Sequence, residues 1–231
     1  MKTIGLLGGM SWESTTSYYS LLNRGIQQKL GGFHSAEIVM VSVNFQPLEE
    51  AMRLGNWDQC QKILVENAQR IEAAGADFLL LCTNTMHKVA PAITQAINIP
   101  FLHIADATGK RIRKSNIHTI GLLGTSFTME EDFYRQRLAD KHNLKVIIPS
   151  PEDRKIVHDI IFNELCRGKI KKQSKDEYLR IINEMKANGA QGVIEGCTEI
   201  GMLIKQHDTT MPLFDTTTLH VEQAIQAALT E

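Results

Sequence analysis

The sequence predicts an α/β fold of two pseudo-symmetric halves, each a mostly parallel sheet flanked by helices. Short apolar runs alternate with helical patterns, which indicates βαβ units and a parallel sheet with helices on both faces. The hexapeptide TIGLLG occurs at 3–8 and again at 119–124, and GADFLLLCTNT at 75–85 is matched by GAQGVIEGCTE at 189–199. Two repeated blocks in the same order, at nearly the same separation, indicate two related halves.

The first half contains three predicted strands separated by two predicted helices. IGLLG at 4–8 is a short apolar run closed by glycines, IVMVSV at 38–43 is rich in β-branched residues, and FLLLC at 78–82 is apolar throughout. The glycines at 31–32 end the first helix, and Asn56 caps the second. The first helix has apolar residues at helical spacing, namely Tyr19, Leu22, Ile26 and Leu30.

The second half repeats this rhythm. IHTIGLLG at 117–124 predicts a strand, and Thr128, with a glutamate three residues on, predicts the cap of the helix that follows. Further strands are expected near 145–148 and at 192–195, where GVIE is a buried run. Two more helices are expected to open at serines followed by acidic residues, Ser150 and Ser174.

Composition excludes several classes of protein. A chain of 231 residues with 43% apolar and 22% charged residues is typical of a globular protein with a sizeable core. A formal net charge of −1 gives no electrostatic reason to expect nucleic acid or an anionic membrane as partner. The N-terminal stretch lacks the apolar core of a signal peptide, and the four cysteines lack pairing motifs, which indicates reduced thiols. We therefore expect a cytoplasmic protein.

The repeats also predict where a ligand binds. Ligands of open α/β sheets lie outside the carboxyl ends of the strands, and both TIGLLG turns and both Cys-Thr segments are at such ends. No linker of Pro/Gly/Ser composition separates the halves. We expect one half to comprise 1–98 plus 216–231 and the other 99–215, with the active site in the cleft between them.

The internal repeat selects one residue as the counterpart of Cys197. Anchored on the shared Gly-Ala without a gap, the alignment places Thr83 opposite Cys197 and Cys82 opposite Gly196. Strand side chains alternate between faces, so a slip of one residue points a group the wrong way. Thr83 is therefore expected to face Cys197 across the cleft. A rival alignment that matches Cys-Thr to Cys-Thr selects Cys82 instead.

At these residues the sequence resembles the aspartate/glutamate racemases, over essentially the whole chain. The signatures of that family are a first block CNT-x-H and a second block GCTE, which stand here as TNTMH at 83–87 and GCTE at 196–199. IGLLGGMSWEST and LLGTSFTMEEDFY are also similar to the family. The resemblance implies a dimeric, cofactor-independent racemase that inverts an acidic amino acid with two cysteines on opposite faces. The sequence departs from it at Thr83, which replaces the first cysteine.

Cofactor-free racemisation needs a base on one face of the α-carbon and an acid on the other. A Cys197 thiolate is a suitable base, whereas the Thr83 hydroxyl is a poor base that more easily hands over a proton, directly or through water. L-specific members of the family imply that the L enantiomer meets Cys197. His87 and Glu199 are expected to tune or orient the acid and base. The residues expected to bind the substrate are Met10, Ser11, Arg53, Asn84, Thr85, Thr125 and Thr198, of which the arginine rests on the resemblance alone.

Alternative functions remain open at this point. The glycine-rich turns lack the dinucleotide and phosphate-loop motifs, and the histidines lack metal spacing, so neither a cofactor nor a metal is expected. A hydantoin racemase, a maleate isomerase or an arylmalonate decarboxylase has the same fold, although the polar turns favour a small charged substrate. A catalytically weakened amino-acid-binding protein is the other alternative, because the first cysteine is absent.

Overall fold

The structure, a computed structural model, describes residues 1–230 and divides into two compact units. The first unit comprises Met1–Ile104 with the C-terminal residues from His220 on, and the second comprises Ala105–Leu219. Within the described residues each unit holds one four-stranded parallel sheet flanked by helices. The predicted fold class is confirmed.

The first unit has four strands and the helices that connect them. The strands are β1 (Ile4–Gly8), β2 (Ile38–Ser42), β3 (Phe78–Leu81) and β4 (Phe101–Leu102). The helices are α1 (Trp12–Leu30), α2 (Phe45–Arg53), α3 (Trp57–Ala73) and α4 (Ala90–Ala96). A 3₁₀ turn, Thr85–Val89, precedes α4. The strand order is β2-β1-β3-β4 and every pair is parallel, so all four carboxyl ends lie at one edge.

The second unit repeats this order as β6-β5-β7-β8, again with parallel pairs. Its strands are β5 (Thr119–Gly124), β6 (Lys145–Ile147), β7 (Val193–Gly196) and β8 (Leu213–Asp215). Its helices are α5 (Ile104–Lys114), α6 (Ser126–Glu130), α7 (Asp132–His142), α8 (Pro151–Asn163), α9 (Lys172–Ala187) and α10 (Ile200–Leu203). Two short 3₁₀ turns, Leu165–Arg167 and Gln206–Asp208, complete it. Helix α11 (Thr216–Leu229) then carries the chain into the first unit.

Helices cover both faces of the first sheet, which explains why its strands are continuously apolar. Ile4 and Leu6 of β1 pack in a core cluster with residues of α1 and α11. On the opposite face α3 lies so close that a Cβ at Gly5 would stand 2.6 Å from Cγ2 of Ile71. Every residue of β1 is buried.

The helices depart from the sequence prediction in three places. Tyr18 is buried in the core of α1, whereas Tyr19 and Leu30, two of the four residues at helical spacing, are 51% and 44% exposed. Thr128 is not a helix cap, because Thr125 caps α6 and accepts the backbone N–H of Thr128 at 3.3 Å. Ser174 lies inside the first turn of α9, and its hydroxyl donates to Oε2 of Glu164 instead of capping.

Candidate active site

The carboxyl edge of the first sheet holds the turn between β1 and α1. Gly9 adopts a φ of +94°, and a Cβ there would lie 2.3 Å from the Val43 carbonyl oxygen, so the position requires glycine. The Gly9 N–H donates to Oγ1 of Thr15 at 2.7 Å. Ser11 caps α1 by accepting the Ser14 N–H at 3.3 Å, and the Met10 side chain is 6% exposed. The turn is therefore rigid and sits at the N-terminus of a 19-residue helix.

The loop after β3 lies beside this turn. The Ser14 hydroxyl of α1 donates to the backbone oxygen of Cys82 at 3.3 Å and so joins the two segments. Thr83, Asn84 and Thr85 follow, and all three are buried. The structure thus brings the predicted site residues of β1 and β3 together at one edge. Their hydroxyl and amide groups offer donors within a poorly hydrated environment, where such groups stabilise developing charge most strongly.

The His87 side chain is hydrogen-bonded to the loop after β3. Its Nδ1 lies 2.7 Å from the carbonyl oxygen of Thr83, and its Nε2 accepts the backbone N–H of Ile104 at 3.2 Å. The ring is 1% exposed, and its centroid lies 4.4 Å from that of His103. His87 therefore contacts the backbone of the loop at Thr83.

Arg53 is exposed at the end of α2. It occupies the last turn of α2, its side chain is 65% exposed, and its Nε lies 3.9 Å from a carboxylate oxygen of Glu49. An exposed pair at that separation contributes little to stability, so the arginine is not held in place by it. Its role toward the substrate stays a prediction.

The carboxyl edge of the second sheet holds Cys197 and its neighbours. Gly124 ends β5 and Gly196 ends β7, and a Cβ at Gly124 would lie 3.0 Å from the Gly196 carbonyl oxygen. The two strand ends therefore approach each other closely. Thr125 follows β5 and is 6% exposed. Cys197 and its neighbour Thr198 follow β7 and are half-buried.

Glu199 organises the segment after β7. Its Oε2 accepts hydrogen bonds from the Cys197 thiol at 2.9 Å and from the Thr198 hydroxyl at 2.7 Å. Burial, the Glu199 carboxylate and then Cys166 raise the pKa of the Cys197 thiol well above its ordinary value. The resting sulfur therefore carries a proton. The structure places the group that can accept this proton within hydrogen-bond distance of it.

The pairing registers of the two sheets give Thr83 and Cys197 equivalent positions. Leu81 pairs with Leu7 of the first TIGLLG, and Glu195 pairs with Leu123, the same place in the second TIGLLG. Thr83 and Cys197 each follow two residues after these pairs. Cys82 is instead the counterpart of a glycine, belongs to the core cluster under α1 and is fully buried. Burial raises the pKa of the Cys82 thiol, so it is an inert apolar group.

Comparison with known proteins assigns the chain to a family. The model of the Asp/Glu/hydantoin racemase family matches residues 7–224. The chain belongs to this family. A protein from Yersinia pestis with a known crystal structure is 47% identical to this chain over the full length of both chains, and the two structures superpose with a TM-score of 0.94. An aspartate racemase homologue from Pyrococcus horikoshii OT3 is 34% identical with full coverage of both chains and a TM-score of 0.87.

A more distant relative has a named activity. The broad-specificity amino-acid racemase RacX of Bacillus subtilis is 23% identical over 227 residues, which are 98% of this chain and 98% of RacX. Membership of the racemase family makes this protein an isomerase of the racemase class.

Sequence reasoning missed Glu195, a buried ionisable residue of this racemase. Glu195 of β7 is 5% exposed, and its Oε1 has no hydrogen-bond partner among residues 1–230. Burial, followed by the charge of Asp215 opposite it on β8, raises the pKa of Glu195 to about 8, against the opposing effect of Lys205. The internal repeat could have identified this residue, because Glu195 aligns with the apolar Leu81 of the first half.

A second missed residue lies in the first unit. His220 of α11 is fully buried; its Nδ1 is 2.9 Å from the Tyr18 hydroxyl and its Nε2 is 2.8 Å from the Leu102 carbonyl oxygen. Burial lowers the pKa of His220 to about 4, so the ring is neutral. A lone histidine in an apolar helix gives no sequence signal for such a role.

Residues 1–230 contain neither a membrane-spanning helix nor a metal-binding cluster. No helix in that range is long and apolar enough to cross a membrane. No group of three or more His, Cys, Asp and Glu side chains in the same range is arranged to hold a metal ion.

Proposed function

We propose that this protein is a cofactor-independent racemase that acts on aspartate or glutamate by two-base α-proton transfer and favours the L enantiomer. The proposal rests on one observation: a thiol with a hydrogen-bonded carboxylate and a buried hydroxyl occupy equivalent positions after β7 and β3. Family membership supports racemisation. The likeness to an aspartate racemase homologue supports an acidic amino acid as substrate.

Cys197 is the base for the L enantiomer in this proposal. Because its pKa is raised, the thiol first gives its proton to Glu199, which is already hydrogen-bonded to it. The resulting thiolate removes the α-proton and becomes a thiol again. The raised pKa makes the thiolate the minor form, so Glu199 serves as a nearby acceptor for the thiol proton without stabilising the thiolate. A positioned base contributes about 10²–10⁴-fold to rate.

Thr83 returns a proton to the opposite face of the same carbon. Its hydroxyl is a poor base near neutral pH, so it acts as a proton donor that is refilled from water. The two enantiomers therefore meet unlike groups, and kcat and KM differ between the two directions. Since enantiomers have equal free energy in water, the ratio kcat/KM must nevertheless match in both directions.

Fixed donors bind the carboxylates of the substrate. The N-terminus of α1, with Ser11 and Met10, favours a carboxylate because its backbone N–H groups and helix dipole attract negative charge. Asn84 and Thr85 stand at the same edge, and the corresponding segment of the second unit offers the Thr125 hydroxyl and the backbone N–H of Thr198, since the Thr198 hydroxyl donates to Glu199. Arg53, whose exposed pair with Glu49 is weak, binds the side-chain carboxylate in this proposal.

Hydrogen–deuterium exchange at the α-carbon tests the function directly. Purified protein without added pyridoxal phosphate or metal is incubated in deuterated water with L-aspartate, D-aspartate, both enantiomers of glutamate and a hydantoin. We expect exchange with an acidic amino acid, fastest from the L form. A protein that binds aspartate and exchanges nothing refutes racemisation, and activity that a chelator abolishes and a metal restores refutes cofactor independence.

Two cysteine variants locate the base. Cys197→Ala removes the only base for the L enantiomer, so exchange from L-aspartate is expected to fall by about 10²–10⁴-fold. Cys82→Ala is the matched control, because it deletes a thiol next to Thr83 that lies in the core. It should keep most of the activity at a modest cost in stability. An inactive Cys82→Ala beside a fully active Thr83→Ala would instead select the rival alignment.

A further inference from the structure

The hydrogen bonds of His87 define its protonation state. A carbonyl oxygen can only accept, so the Nδ1 that lies 2.7 Å from the Thr83 oxygen carries a hydrogen. A backbone N–H can only donate, so the Nε2 that meets the Ile104 N–H at 3.2 Å carries a lone pair. The ring is therefore the neutral Nδ1–H tautomer, with both nitrogens occupied by backbone groups. It has no nitrogen left to exchange a proton with a substrate.

The ring is also fixed in orientation. It is 1% exposed, and it packs against His103 and Phe101 at centroid distances of 4.4 and 5.6 Å. A flip of the ring would exchange its nitrogens for carbons, so that Cδ2–H would face the Thr83 oxygen and Cε1–H would face the Ile104 N–H. Both hydrogen bonds would then be lost, so packing and hydrogen bonding select the same orientation.

The backbone of Thr83 is held on both sides as a result. Its N–H donates to the Leu81 carbonyl oxygen at 2.9 Å, and its own carbonyl oxygen accepts from His87. The side chain of Thr83 leaves from this fixed backbone, which determines where its hydroxyl stands. A displacement of about 1 Å in a reacting group costs on the order of 10²-fold in rate.

We infer that His87 is a positioning residue: as a neutral hydrogen-bond donor it holds the Thr83 carbonyl, and it thereby sets the Thr83 hydroxyl for proton return. The inference rests on the proposed function for the role of Thr83. It assigns His87 no proton-transfer step. It also predicts an effect on one direction of proton movement, because Cys197 removes the proton of the L enantiomer without it.

His220 provides a matched control. It is as deeply buried as His87, is neutral, and binds a backbone carbonyl oxygen, that of Leu102. It makes no hydrogen bond to Thr83 in the described structure. Substitution of either histidine disturbs the core of the first unit, but only substitution of His87 releases the Thr83 carbonyl.

The tautomer is tested by nitrogen-15 NMR of histidine-labelled native protein. We expect His87 to show a protonated Nδ1 and an unprotonated Nε2 from about pH 6 to pH 8, where an ordinary histidine titrates. An Nε2–H tautomer, or a ring that titrates in this range, overturns the inference. This measurement needs no activity, so its result is independent of the proposed function.

The positioning role is tested by comparing the rate of D-aspartate formation with the rate of α-proton exchange, starting from L-aspartate in deuterated water. In His87→Leu, Cys197 still removes and returns a hydron, so exchange with retention continues while formation of D-aspartate falls by about 10–100-fold. His87→Asn keeps an N–H donor near the Nδ1 position and should restore much of the inversion. His220→Asn should lower the melting temperature and leave the ratio of inversion to exchange unchanged.

The outcomes separate the two proposals. If the native protein exchanges nothing, the proposed function is wrong whatever the NMR shows. If the native protein racemises but His87→Leu lowers exchange and inversion by the same factor, or if His220→Asn changes the ratio equally, the positioning role is wrong and the function stands. Where His87→Leu does not fold, the His87→Asn ratio and the tautomer decide the question.

Discussion

Replacing Glu195 by Gln is expected to make the protein more stable, by an amount that grows with pH. The pKa of this carboxyl is about 8 in the folded protein, against an ordinary value of 4.5, chiefly because it is buried and faces Asp215. The folded state therefore keeps a proton that the unfolded chain releases. Stability from this group is fully present below about pH 4.5, is lost as the pH rises, and changes no further above about pH 8.

The magnitude follows from linkage. At 1.36 kcal/mol for each pH unit, the interval between 4.5 and about 8 corresponds to about 5 kcal/mol in total, of which about 3 kcal/mol is already lost at pH 7. Glutamine has a similar shape and no charge at any of these pH values, so it removes the loss. The native and variant proteins should have similar stability near pH 5 and differ by several kcal/mol near pH 8.5.

The assay is urea unfolding of native and Glu195→Gln proteins at several pH values. Both tryptophans, Trp12 and Trp57, lie in the first unit, so their fluorescence does not report on β7. Hydrogen exchange of β7 and β8, read by mass spectrometry, supplies the local measurement. Glu152→Gln, at an exposed carboxylate of the same unit, is the control. Native and Glu195→Gln curves that stay parallel from about pH 5 to pH 8.5 would refute the reasoning.

Three further predictions concern other positions. Thr83→Cys should restore a second thiol and speed exchange from D-aspartate, measured separately from exchange of L-aspartate; an unchanged D rate contradicts the asymmetric mechanism. Gly5→Ala should lower the free energy of unfolding by about 3 kcal/mol, because its Cβ would meet a methyl of Ile71 at 2.6 Å and the Phe78 carbonyl oxygen at 2.8 Å. Gly121→Ala should lower it by only about 1 kcal/mol, because its Cβ would meet the flexible end of Met185. Equal or reversed costs in denaturant titrations contradict this prediction. Burial lowers the pKa of His220 to about 4, so the unfolded chain takes up the proton first and the native protein loses about 3 kcal/mol of stability as the pH falls from 6.5 to about 4. His220→Asn should abolish this pH-dependent loss. If the stability of both proteins falls with the same slope in acid titrations, the prediction is wrong.

The sequence predicts the central strands well because they are buried on both faces. IGLLG and FLLL have no polar residue to interrupt them, and β1 and β3 follow these runs closely. The edge strands β4 and β8 escaped prediction, since two or three residues are too short to show any period. Their positions are fixed by contacts remote in sequence, such as the bond from His220 to Leu102.

For the candidate site, the sequence predicts which residues take part but not the contacts they make. The repeat alone places Thr83 opposite Cys197 in the alignment, and the pairing registers give these residues equivalent positions. The bonds that determine their chemistry run to side chains that no local pattern identifies as partners. The geometry of the loops after the strands determines that Glu199 accepts a hydrogen bond from the Cys197 thiol. It also determines that His87 donates to the Thr83 carbonyl oxygen.

The route of the chain through the first unit has a consequence for biosynthesis. The apolar face formed by Ile4 and Leu6 is completed by α11, whose residues Val221 to Ala228 leave the ribosome only after the whole second unit. At about 5–20 residues per second, the roughly 115 residues of that unit take roughly 6–23 s to synthesise. The second unit can therefore fold first, while the nascent first unit exposes a sheet face for many seconds. During that interval the open sheet face is the part of the nascent chain most prone to aggregation, and ribosome stalling within residues 105–219 would lengthen its exposure.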